Sequence, residues 1–266
     1  MNKYITILTI FLLFFSCKKE DIAGCTDSAA LNYNASANLD DGSCNYPTLA
    51  DVNIYFTQTV DGNPLVSNQM IYTNHTGENY SVQTLRYLIS NITLHRNNGS
   101  DILIDEVHFI DISIDSTLSL SIPAITDQNY TTISFTMGLD SNKNITNLFL
   151  NESFYPSFSW PEFLGGGYHY MQLEGDFNSV FNGYATHTGG TNGVDYSFSK
   201  EFPITINSKS NIYDIYINME ISNWYENPHT LNFTTNGIMD DANSQIILKD
   251  NGIEDVFSVY TLDASN

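Results

Sequence analysis

The stretch WPEFLGGGYHYMQLEG, Trp160 to Gly175, sets a histidine among aromatic residues and a methionine directly after three consecutive glycines. Glycine runs lose much backbone entropy on folding, so they mark tight turns or close approaches that a side chain would block. If Tyr168 to Glu174 is a strand, its period of two sends His169, Met171 and Leu173 one way and Tyr168, Tyr170, Gln172 and Glu174 the other. Same-face neighbours on a strand lie ~6.5 to 7 Å apart. An imidazole and a thioether on one face could therefore converge on a soft ion such as copper. The same pattern also describes a packed core, with Met171 and Leu173 inside and His169 hydrogen-bonded at the margin, and the residues alone favour that reading. A second histidine, His187, follows eighteen residues later in YATHTGG. Its Gly- and Thr-rich surroundings predict an accessible loop. Two histidines, each beside a glycine turn, are a minimal pair of metal ligands drawn from separate elements of a sheet.

Other chemistries find no anchor. The chain has no G-x-S-x-G elbow, no H-E-x-x-H and no phosphate-cradling glycine loop, and GGTNG (Gly189 to Gly193) reads as a turn. Acidic residues are plentiful, but no pair is singled out as an acid/base couple, so no enzymatic turnover is expected. The net charge is −21 with nine Lys and Arg. Phosphate backbones would repel such a chain, which excludes nucleic acid as a partner; the charge serves solubility or attracts cations.

The elements that must position these residues are strands. Tyr, Phe, Ile, Thr, Ser and Asn dominate the composition, and no long stretch shows sustained helical periodicity. DVNIYFTQTV, LRYLISNITLHR, DILIDEVHFIDISI, YTTISFTMGLD, FPITI and NIYDIYINMEIS alternate or run apolar between Asn, Gly, Asp and Ser clusters. In the last of them Tyr213, Ile215, Ile217, Met219 and Ile221 share one face, with Asp214, Asn218 and Glu220 on the other. The expected fold is all-β: an antiparallel β-sandwich over residues 51–262, preceded by a small disulfide-stapled module.

Residues 1–17, MNKYITILTIFLLFFSC, form a short apolar export signal. Its end resembles a bacterial lipobox, which implies that Cys17 becomes the lipidated first residue of the mature protein. The KKED that follows resembles the signal sending Bacteroidota lipoproteins to the cell surface. The expected location is therefore the outer membrane, lipid-anchored and facing outward. In that oxidising setting Cys25 and Cys44 are expected to pair. They enclose a segment with little apolar content that resembles the short GCTD…DDGSC module of Bacteroidota surface proteins, over residues 24–46. Asp27, Asn38, Asp40 and Asp41 offer hard oxygens at spacings like those of calcium loops, which makes calcium the alternative to a plain stapled spacer.

Beyond residue 51, YTNHTGENYSVQTLRYLISNITL, GLDSNKN, WPEFLGGGYHYMQLEG, THTGG and IILKDNGIEDVFSV occur in the order seen in the MbnP-like family, which the chain resembles from about Val52 to Val259. That family is named for a periplasmic copper-binding protein associated with methanobactin. The resemblance implies a secreted β-sandwich whose members bind copper through histidines and, in some, an oxidatively modified tryptophan. By that resemblance His169 and His187 match the histidines and Trp160 the tryptophan-proline motif, with Met171 and Glu162 as second candidates. GIMDDANSQ (Gly237 to Gln245) departs from the family in lacking the histidine that some relatives carry near their C-terminus. The implied role is copper capture or carriage without turnover, in company with a di-haem peroxidase-like protein or a TonB-dependent receptor. The alternative is a structural or adhesive surface module that binds glycan or protein.

Overall fold

The computed structural model describes residues 20–97, 99–126, 129–207, 210–235 and 237–264. The export signal and Cys17 lie outside the described residues. The chain divides into two compact units between Pro47 and Thr48.

In the small unit Cys25 and Cys44 are joined, with Cα atoms 4.7 Å apart. The polar residues proposed as calcium ligands are engaged in hydrogen bonds within the unit. Asp27 Oδ1 accepts from the Ala29 amide and its Oδ2 from the Tyr46 hydroxyl. Asn38 accepts from the Ile22 amide, Asp40 from Gly42 and Asp41 from Ser43. The contacts to Ala29, Gly42 and Ser43 close Asx-type turns, and those of Asn38 to Ile22 and Asp27 to Tyr46 tie distant parts of the segment together. Among the described residues no three His, Cys, Asp or Glu side chains gather as a metal site, so the calcium expectation has no support here.

The larger unit is two packed sheets. The first contains β1 (Leu49–Val60), β4 (Ser119–Thr126), β9 (Ile212–Glu220) and β10 (Phe257–Asp263), in the order β10-β9-β1 with β4 also paired to β1. The alternation predicted for Tyr213 to Met219 is present: those residues are buried, and the ones between them are partly exposed. One pairing departs from the antiparallel expectation, since β9 runs parallel to β1, Ile212 opposite Asp51 through Glu220 opposite Thr59. Alternation reports which face is buried but not the direction of the neighbouring strand.

The second sheet is built around β2 (Thr84–Arg96). β3 (Ile102–Asp111) runs along one edge of β2. The other edge is shared, first by β6 (His169–Phe177) against residues 84–87, then by β5 (Tyr130–Met137) against residues 89–96. β7 (Ser179–Gly189) pairs with β6 and β8 (Phe198–Ile206) with β5. Between the sheets lies one apolar core containing Ile54, Phe56, Tyr87, Ile89, Phe135, Met171, Leu173, Ile215 and Ile217. A second cluster, Leu88, Leu139, Phe154, Phe158, Tyr168 and Tyr170, covers the opposite face of β2 and β6. The long connection after β5 supplies most of it. The middle of β2, Tyr87 to Ser90, is therefore buried on both sides. A helix, α1 (Ala242–Asn251), is capped by Asp241, whose side chain accepts from the amides of Asn243 and Ser244.

Candidate metal centre

The glycine run is a reversal. Gly165, Gly166 and Gly167 all hold positive φ (121°, 70° and 84°), a region that other residues enter at a cost. A Cβ on Gly166 would lie 2.4 Å from Thr146 Oγ1, and one on Gly167 would lie 2.3 Å from Asn144 Oδ1. The turn folds Trp160 back on the start of β6: the Trp160 amide donates to the Gly167 carbonyl, and the His169 amide to that of Phe158.

β6 then enters the sheet with an irregularity that decides which side chains meet. His169 stands opposite Gly189, but Met171 stands opposite Thr188 and Gln172 opposite His187. Two steps along β6 match one step along β7, which is a bulge at Tyr170. His169 and His187 therefore share a face, because His187 is two residues from Gly189 on β7. Gln172 and Glu174 lie on that face too. Met171 does not: it points into the core between the sheets, fully buried. The face shared by His169 and Met171, expected from unbroken alternation, is undone by the extra residue.

The imidazoles of His169 and His187 meet with ring centres 5.1 Å apart at 81°. The indole of Trp160 packs edge-on against His169, centre to centre 4.8 Å. Trp160 is buried, and among the described residues its Nε1 has no hydrogen-bond partner. It fits because β7 carries glycine at 189, where a Cβ would lie 2.6 Å from the ring. His169 Nδ1 is 3.2 Å from the carbonyl oxygen of Phe158. Burial first, then the neighbouring His187, push its pKa down to about 4, so the ring is neutral at physiological pH. His187 Nε2 lies 2.8 Å from Glu174 Oε1. That hydrogen bond is the main cause holding the Glu174 carboxyl below its ordinary range.

Of the residues expected at the site, the structure brings together His169, His187 and Trp160. Glu162 sits apart on an exposed 3-10 turn, its carboxylate beside Gly166. Glu174 and Gln172 join the histidine face, and sequence alternation had separated them from His169. In place of a C-terminal histidine, the segment ending at Gln245 supplies a buried amide. Gln245 Nε2 donates to the His187 carbonyl and its Oε1 accepts from the Gly189 amide. It fixes the backbone behind the site and offers no ligand to its front. Among the described residues each imidazole has one ring nitrogen in a hydrogen bond and the other without one, so the pair can offer two lone pairs to a borderline or soft cation.

The family model that matches, MbnP, spans residues 50–244, well over half of the chain. Comparison with curated proteins returns no match. Among solved structures, MbnP from Methylosinus trichosporium is similar at a TM-score of 0.54 and 12% identity, over 80% of this chain and 98% of that one. At that identity the likeness concerns the fold.

Proposed function

From the membership of this chain in the MbnP family, we propose that it binds copper at His169 and His187 beside Trp160, for capture or carriage without turnover. The observation that supports this reading is the meeting of the two imidazole rings, 5.1 Å between centres, each with one ring nitrogen in no hydrogen bond among the described residues. The residues fit such a cargo. Imidazole suits copper, and copper stands at the top of the divalent affinity series, so a site with two assured ligands favours it over zinc or manganese. The buried Trp160 N–H, which has no hydrogen-bond partner among the described residues, would donate to a further polar group. His169, kept neutral by burial, does not have to lose a proton before it binds. Export and lipidation at Cys17 would put this site at the outer membrane, where a di-haem peroxidase-like protein or a TonB-dependent receptor would be its working partner.

The test is copper titration of protein purified from its own source, beside His169→Ala and His187→Ala. Wild type should bind one copper ion and both variants should lose it. If wild type binds none, or both variants bind unchanged, the copper reading fails and a glycan- or protein-binding surface module replaces it.

A further inference from the structure

We propose that Glu174 is a positioning residue of this site, selecting which nitrogen of His187 faces the metal. This rests on the copper reading above. The continuous register from Met171 opposite Thr188 to Gly175 opposite Tyr184 places Gln172 directly opposite His187, and Glu174, two residues further along β6, is its diagonal neighbour on the same face. From there Glu174 Oε1 reaches His187 Nε2 at 2.8 Å. An ionised carboxylate can only accept, so the shared hydrogen belongs to Nε2 and the lone pair of His187 is on Nδ1. His169 is held the other way. The Phe158 carbonyl, also acceptor-only, lies 3.2 Å from His169 Nδ1, which leaves the lone pair on Nε2. The site thus offers one Nε2 and one Nδ1, each orientation set by an oxygen on the far side of the ring. A carboxylate or carbonyl behind a metal-binding histidine fixes both tautomer and ring direction, and removing it typically costs 10- to 100-fold in metal affinity.

Glu174 is itself held in place. It stands opposite Thr84 of β2 in the ladder, so a strand from the sheet centre backs it. Glu174 is partly exposed.

The experiment has two arms on the full chain, with wild type, Glu174→Gln, Glu174→Ala and His187→Ala. In the metal-free protein, long-range proton–nitrogen NMR reads the His187 tautomer. Wild type and Glu174→Gln should carry the proton on Nε2, since the glutamine amide oxygen can still accept, whereas Glu174→Ala should show a mixture. Competitive titration with copper(II), followed by electron paramagnetic resonance, forms the second arm. Glu174→Ala should bind about 10- to 100-fold more weakly with altered nitrogen coupling, and Glu174→Gln should stay near wild type. A wild-type tautomer and affinity in Glu174→Ala would overturn the proposal. So would a loss in Glu174→Gln as large as in Glu174→Ala, because the carboxylate would then be a direct ligand. If wild type binds no copper at all, the copper reading fails by itself, and the metal-free arm still decides whether Glu174 sets the ring of His187.

Discussion

Gly189→Ala tests the geometry of the centre without substituting either histidine. A methyl group at that position would lie 2.6 to 2.8 Å from three carbons of the Trp160 ring. The indole is nearly fully buried, with the His169 ring 4.8 Å from it. It cannot recede without displacing that ring or the turn that carries it. Gly189 is not among the positive-φ residues, so the backbone accepts alanine, and the change would otherwise stabilise by roughly 0.4 to 1 kcal/mol through the unfolded chain. Overpacking of this kind costs about 1 to 3 kcal/mol. Central values leave a net cost of about 1.3 kcal/mol, and in a unit of this size each kcal/mol shifts the melting temperature by roughly 2 to 4 °C, so a net fall of about 3 to 5 °C is expected. The chain has two tryptophans, and near-ultraviolet circular dichroism should register the displaced indole. Repeating the substitution in a Trp160→Ala background removes the clash, and there alanine at 189 should be neutral or slightly stabilising. A single variant that melts with wild type, or a cost that persists undiminished without the indole, would show that Trp160 does not lie over Gly189.

In the metal-free protein the imidazole of His169 is held at about 4 by burial first and His187 second, against an ordinary value of ~6.5. The unfolded chain therefore binds the proton first, and this contribution, on the order of 3 kcal/mol, is present above pH ~6.5 and lost as pH falls toward ~4. His169→Phe should flatten that part of the melting-temperature profile; parallel profiles for variant and wild type would refute the burial argument. An unreduced digest should yield Cys25 and Cys44 in one crosslinked peptide pair. Reduction should remove ~3 kcal/mol of chain constraint and speed proteolysis within residues 24–46; free thiols at both positions in exported protein would contradict the pairing. For Cys17→Ser the expected outcome is release from the membrane in soluble form, and continued membrane fractionation with unchanged lipid labelling would remove the anchor.

Much of the fold could be read from the sequence because its central strands have unlike faces. Ile212–Glu220 alternates cleanly, since one side meets the core and the other meets water. Elements that break that condition stayed hidden. β7 exposes Val180 and Phe181, so its apolar residues do not mark a buried face. Helix α1 buries Ser244, Gln245 and Asn251 beside Leu248, so an apolar stripe never forms in the sequence. Its start signal, Asp241 three residues before Ser244, was present nonetheless.

The centre shows the same limit more sharply. His169, His187 and the glycine turn are recognisable as residue types, and their convergence follows from two adjacent strands. The partners of His169 depend on one extra residue at Tyr170, which interchanges the faces of everything before it relative to everything after. Read without the bulge, His169 belongs with Met171 and Leu173; with it, His169 belongs with Gln172, Glu174 and His187. No local composition marks the bulge, because Tyr170 is aromatic and buried like its neighbours. The signal lies in the pairing. Gly175 faces Tyr184 and Gln172 faces His187 in one register, and that register fails to bring His169 opposite His187's strand-mate Gly189 unless one residue is skipped. A strand whose two faces are both covered tolerates such a slip, since either set of side chains finds apolar company. That tolerance lets a histidine leave the core side of its strand and stand beside a second histidine and an acid.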